Sequence, residues 1–158
     1  MSDRVPMTQQ GYDKLKDELR RLKAEERPQI VREIEVARAH GDLSENAEYH
    51  AAKEKQGQIE ARTRYVEDKI ARAQVIDPTG QSLDAVRFGL RVDLEDTETG
   101  EKVTYTILGE EETDVATGRI SVASPVARAL LGRGVGDSVT VRIPKGTREF
   151  EVLEIRHG

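Results

Sequence analysis

Apolar positions recur at helical spacing through the first half of the chain and at a spacing of two through the second. Tyr12, Leu15, Leu19 and Leu22 follow at steps of 3, 4 and 3, and the stripe resumes at Ile30, Ile34 and Ala37. Through Glu26 the steps are 4 and 4, so the repeat slips there. Pro28 sits in the slip and lacks a backbone donor, which predicts one kinked helix over this segment. Thr8 is placed to cap its start. A second stripe runs through Tyr49, Ala52, Gln56, Ile59, Thr63, Val66, Ile70 and Ala73 at alternating steps of 3 and 4, the seam of a coiled coil. Gln56 and Thr63 are polar seam positions, which weaken pairing and help to set its register. A short connection centred on Gly41 predicts antiparallel neighbours. Arms of roughly 30 residues make a hairpin about 45 Å long. Asp17–Arg21, Glu60–Arg64 and Asp68–Arg72 are spaced to pair along the outer faces.

Asp77-Pro78-Thr79-Gly80 reads as a linker, and beyond it the period changes. Leu90, Val92 and Leu94 alternate with charged residues, and Val103, Tyr105 and Ile107 alternate with threonines, with a turn at Thr97–Gly100 between them. Ser124-Pro125 starts a short helix over about 125–131 that Gly132 stops. Val139, Val141 and Ile143 form another strand. In the last strand Phe150 and Val152 alternate together while Leu153 and Ile155 fall on the opposite parity, so it is either bulged or buried on both faces. The expected architecture is α+β, with an antiparallel helical hairpin over residues 1–77 and a small β-rich domain over 78–158.

Composition narrows the functional classes. Of 158 residues, 35% are charged and 4% aromatic, which suits a long solvated helix better than one large globule. The two halves differ: residues 1–77 carry 15 Lys/Arg and 16 Asp/Glu, residues 78–158 carry 10 and 14. A net charge of −5 argues against duplex DNA as the partner and towards a protein. No cysteine is present, which excludes disulfides and thiolate metal sites and fits a reducing compartment. Met1–Pro6 has no apolar run and no stretch reaches membrane-spanning length, so a cytoplasmic location is expected and no membrane partner.

The chemistry concentrates at the turn of the hairpin. His40-Gly41-Asp42-Leu43-Ser44-Glu45-Asn46-Ala47-Glu48-Tyr49-His50 holds three carboxylates and no Lys or Arg. Asp42-x-x-Glu45 also reads as a capping box, where acids at a helix start need no further role. Against that, three uncompensated acids sit at the far end of a long projection, away from any core. If helical, Asp42 and Glu45 have Cβ atoms about 5–6 Å apart, near enough to share one hard cation. Mg²⁺ takes one or two protein carboxylates and keeps waters, so such a site is weak until a partner completes it. A zinc site through His40 and His50 lacks a third nitrogen ligand. A plain dimerisation or spacer coiled coil also satisfies the stripe by itself.

The run Ala39–Ala52 resembles the tip signature of the bacterial GreA transcript-cleavage factors. Pro6-Met7-Thr8, Arg27-Pro28, Ala73–Asp77, Ser124–Gly132 and Gly136-Asp137 agree with the same family in order along nearly the whole chain. The resemblance implies an FKBP-like second domain, one resembling FK506-binding proteins, and RNA polymerase as the partner. It implies that the hairpin enters the polymerase secondary channel and stimulates the polymerase's own cleavage of backtracked RNA, with no small-molecule substrate and no nuclease site on this chain. On that basis Asp42 and Glu45 are the tip acids that hold Mg²⁺ jointly with the polymerase, and Glu48 supports them. Leu43, Ser44 and Asn46 are tip contacts, and Arg38 and Lys53 lie near the extruded RNA. Arg62, Arg64 and Lys69 either extend that basic face or are solvated helix surface. Asp-Leu-Ser-Glu and the weak basic character favour GreA over GreB. Two rivals stay open: a same-fold channel inhibitor without cleavage activity, and a prolyl isomerase using Phe88, Tyr105 and Phe150.

Overall fold

The computed structural model describes residues 3–41 and 46–158. The chain forms two compact units, one built around Tyr12–Ala73 and the other from Arg4–Gly11 with Gln74–Gly158. The early segment joins the second unit through a short strand, β1 (Val5–Met7), which pairs with β2 (Ala73–Val75). The Ile76 N–H extends this pairing to the Met7 carbonyl at 2.9 Å.

The helical unit is the expected antiparallel hairpin. Helix α1 (Gln9–Arg21) starts at Thr8, whose hydroxyl accepts the Gly11 N–H at 3.1 Å, as a threonine cap does. The first arm continues through a π turn over Leu22–Glu26 into α2 (Arg27–Arg38). Helix α3 (Ala47–Ala71) returns as the second arm. Leu15, Leu22, Ile30, Ile34 and Ala37 are buried against Ala52, Ile59, Thr63 and Val66, so the two stripes do form one seam. Thr63 costs little there, because its hydroxyl donates to the Ile59 carbonyl one turn back at 2.8 Å.

The slip at Glu26 has a different cause from the one that Pro28 suggested. Eight residues separate Leu22 from Ile30, about 80° more than two α-helical turns. A π turn closes its bonds one residue further back; here the Arg27 N–H reaches the Leu22 carbonyl. That wider turn takes up the excess, and Leu22 and Ile30 both face the seam. Pro28 follows in the first turn of α2, where its missing donor is tolerated.

Guanidinium–carboxylate forks tie the arms together outside the seam. Arg27 grips Glu60 at 2.7 and 2.9 Å, and Arg62 grips Glu18 at 2.7 and 2.8 Å. Lys23 adds a contact to Glu67 at 3.3 Å. Asp17–Arg21 and Asp68–Arg72 pair along their own helices as the spacing predicts. Glu60 instead makes its hydrogen bonds to Arg27 on the opposite arm, because a two-pronged fork is stronger than a single i,i+4 contact.

The second unit is a five-stranded sheet in the order β5-β4-β3-β7-β6. Its strands are β3 (Leu90–Asp96), β4 (Lys102–Leu108), β5 (Arg119–Ser121), β6 (Ser138–Ile143) and β7 (Gly146–His157). Only β4–β5 is parallel. Helix α4 (Pro125–Leu130) is capped by the Ser124 hydroxyl and inserts Ala127 and Leu130 into the core. With the helical hairpin this gives the anticipated α+β architecture, a hairpin followed by a small β-rich domain. The last strand is bulged: Asp93 faces Glu154 while Leu94 faces Val152, so Leu153 is the extra residue. The bulge returns Ile155 to the core face of Phe150 and Val152. Asp96 accepts the Glu98 and Thr99 N–H groups at 2.9 and 3.2 Å and closes the β3–β4 turn. Those N–H groups, joined by Arg148, hold its carboxyl below the usual aspartate range.

Two outcomes follow for the hairpin. The forks hold Glu18 and Glu60 below the usual glutamate range, chiefly through their hydrogen bonds to Arg62 and Arg27. The folded state therefore binds fewer protons than the unfolded one. This stabilisation is full above the unfolded pKa and is lost as pH falls through the lowered folded values. Thermal melts followed by circular dichroism should show Glu18→Gln with Glu60→Gln less stable near neutrality and with a shallower decline in acid than the parent. Gly57 lies inside α3 with nothing within 4 Å of where a Cβ would stand. Gly57→Ala should stabilise the helical unit by about 0.5–1 kcal/mol, seen as a higher melting temperature.

Candidate functional site at the hairpin turn

The turn begins where α2 runs out of seam. Ala37 is its last buried residue. The Ala39, His40 and Gly41 N–H groups then bond back to Val36, Ala37 and Arg38 carbonyls at 3.2, 3.2 and 3.3 Å. Gly41 ends the helix with φ of +117°, a conformation open to glycine and strained for any residue with a Cβ.

The other side of the turn begins at Asn46. Its Oδ1 accepts the Tyr49 N–H at 3.0 Å, which makes it the N-cap of α3. Its Nδ2 donates to the Ala37 carbonyl at 2.6 Å, a bond from the start of one arm to the end of the other. The capping-box reading of Asp42-x-x-Glu45 is therefore displaced: α3 starts at Ala47 and its cap is Asn46. Both residue types cap equally well, and only Asn46 stands where its second group meets a carbonyl of the opposite arm. Asp42, Leu43, Ser44 and Glu45 lie outside the described residues.

Other side chains cross the neck of the turn. His40 Nδ1 is 3.6 Å from a Glu48 carboxylate oxygen, an ion pair whenever the imidazole is protonated. The Arg38 guanidinium lies over the Tyr49 ring at 6.0 Å, within cation–π range. Tyr49 also meets His50 edge-on at 5.5 Å. Arg38 and Lys53 thus flank the turn from opposite arms, and Lys53 Nζ donates to Gln56 at 3.1 Å. Beside the turn, Val36, Ala37, Ala51 and Ala52 line an open groove between α2 and α3, rimmed by Arg32 and Lys55.

The wider basic face is reduced. Arg62 is committed to Glu18 and lies 5.1 Å from the Tyr65 ring centre, where Lys69 Nζ also sits at 5.2 Å. Its charge is spent on joining the arms, an assignment that needs the pairing of the arms and not helix spacing alone. Of the aromatics suggested for a proline pocket, two lie in the interior and Tyr105 is half-buried against the core. Phe88 and Phe150 are buried, and the Arg148 guanidinium lies over the Phe150 ring at 4.9 Å. Among the described residues, no group of three or more His, Asp or Glu side chains is placed to hold a metal ion. No helix among them is long and apolar enough to cross a membrane.

Comparison with known proteins matches both units. The model for the N-terminal domain of GreA/GreB transcription elongation factors matches residues 5–75, and the model for their C-terminal domain matches residues 81–157. The chain is 61% identical to transcription elongation factor GreA of Anaeromyxobacter sp. (strain K), over 96% of this chain and 92% of that one. It is 56% identical to the GreA of Chelativorans sp. (strain BNC1), over 99% of each. Among solved structures, the GreA factor homolog 1 protein of Thermus thermophilus is 32% identical, covers 98% of this chain and 99% of that one, and superposes with a TM-score of 0.45.

The backbone at the turn supplies its own test. Gly41→Ala should lower the stability of the helical unit by about 1 kcal/mol or more, since its φ is incompatible with a Cβ. A denaturant titration followed by circular dichroism would register the change as a lower midpoint.

Proposed function

Because the chain belongs to the GreA/GreB family of transcription elongation factors, we propose that it inserts its helical hairpin into the secondary channel of bacterial RNA polymerase. There it stimulates the polymerase's intrinsic cleavage of backtracked nascent RNA and so rescues arrested complexes. The observation that carries this reading is the place of the acidic segment. In sequence, Asp42 and Glu45 come between Gly41, three residues past the end of α2 at Arg38, and Asn46, the cap of α3, in the connection of a clamped hairpin.

The division of labour follows from the donor set. Asp42 and Glu45 provide hard oxygen ligands suited to Mg²⁺, too few to hold it alone, so the polymerase contributes the rest of the site. A bound metal of this kind polarises the phosphate and lowers the pKa of an attacking water. The two carboxylates supply charge and orientation, and Glu48, tethered towards His40, adds negative potential one turn further on. Leu43, Ser44 and Asn46 contact the polymerase at the tip. Arg38 and Lys53 face the anionic RNA from either side. The chain is accordingly a co-catalytic factor and not a nuclease.

Added to a backtracked elongation complex, the chain should release short 3′ RNA fragments. Asp42→Asn with Glu45→Gln should keep polymerase binding and lower stimulated cleavage by about 100-fold, the scale expected when reacting groups lose their positioning. Unchanged cleavage by the double variant would refute the roles given to these acids. Slowed elongation without fragments would identify a channel inhibitor instead.

A further inference from the structure

We propose that Asn46 is a positioning residue for cleavage: its bond across the arms ties the start of α3 to the end of α2, the two helix ends that flank the acidic segment in sequence. The proposal rests on the cleavage reading above.

A cap alone does not require asparagine. Serine, threonine or aspartate offers the same acceptor to the Tyr49 N–H. Asn46 uses both ends of its carboxamide: Oδ1 accepts from Tyr49 at 3.0 Å while Nδ2 donates to the Ala37 carbonyl at 2.6 Å. A carboxylate has no donor for the second bond, and a hydroxyl is too short to span both partners from one Cβ. The Ala37 carbonyl is used twice as well. It also accepts the His40 N–H at 3.2 Å, which fills both of its lone pairs. One carbonyl at the end of the buried seam therefore ties down the exit from α2 and the entry to α3. Because Ala37 is buried and Asn46 partly so, water competes poorly for this bond.

The test uses the full chain with Asn46→Asp and Asn46→Ser. Both keep an acceptor for Tyr49 and lose the bridge; the serine variant controls for the added charge of the aspartate. Helix content by circular dichroism should match the parent, and polymerase binding by competition should fall by clearly less than cleavage does. Stimulated cleavage should fall about tenfold, with a higher Mg²⁺ concentration needed for half-maximal cleavage. In the free chain, backbone amide relaxation at Gly41 and Asn46 should report faster local motion. A variant that cleaves like the parent at the same Mg²⁺ concentration overturns the role, as does a loss of binding equal to the loss of cleavage. Absence of fragments from the unmodified chain overturns the cleavage reading itself, and the relaxation then shows separately whether the bridge orders the turn.

Discussion

Two apolar stripes must meet along one seam although the stripe of the first arm contains an eight-residue gap. In a regular α-helix, Leu22 and Ile30 would point about 80° apart, and one of them would leave the interface. The π turn at Leu22–Glu26 brings both inward, and the register of everything towards the hairpin turn depends on it. Beyond the π turn, Ile30, Ile34 and Ala37 keep their places opposite α3. That alignment puts the Ala37 carbonyl within reach of Asn46. A local change of helix type more than ten residues away thus governs the geometry at the turn.

Charge acts around this seam in two ways. On the flanks, carboxylates and guanidinium groups join into cross-arm forks, Arg27 with Glu60 and Arg62 with Glu18. Partly exposed pairs are individually modest, but the two-pronged geometry also specifies register, since a shift of one residue in either arm would break both prongs. At the turn itself the pattern differs. The run that holds Asp42, Glu45 and Glu48 has no Lys or Arg among residues 40–50, and Glu48 lies 3.6 Å from His40.

The globular unit shows the same dependence on non-local pairing. Its core forms on one face of the sheet, with Leu90, Val92 and Leu94 from the central strand β3. The bulge at Leu153 allows a long final strand to serve that core from both halves despite a break in alternation. Glu112 gives a second example within this unit: its carboxylate accepts the Thr8 and Gly109 N–H groups and the Thr8 hydroxyl, from segments about one hundred residues apart. Gly11 leaves room for it, since a Cβ there would fall within 2.6 Å of that carboxylate.

Much of this was legible in the residue pattern. Periods of 3.5 and 2 told the hairpin from the sheet domain, because burial on one face of a helix or strand leaves a repeat that needs no partner to be seen. Thr8, Ser124-Pro125 and Gly41 marked element ends for equally local reasons, and the acidic turn stood out as a run without bases. Only the tertiary structure decided what depends on which atoms meet. Asp42 and Asn46 are equivalent caps on paper, and the choice fell to the residue whose amide also reaches Ala37. Glu60 had a plausible partner four residues away and bonds Arg27 on the other arm. By sequence Arg62 belongs to a basic face or a solvated helix surface, and by pairing it is a clamp on Glu18. Leu153 left the last strand ambiguous until β3 fixed its register. In each case the local preferences are nearly degenerate, and contacts between segments far apart in the chain, each worth a small multiple of RT, break the tie.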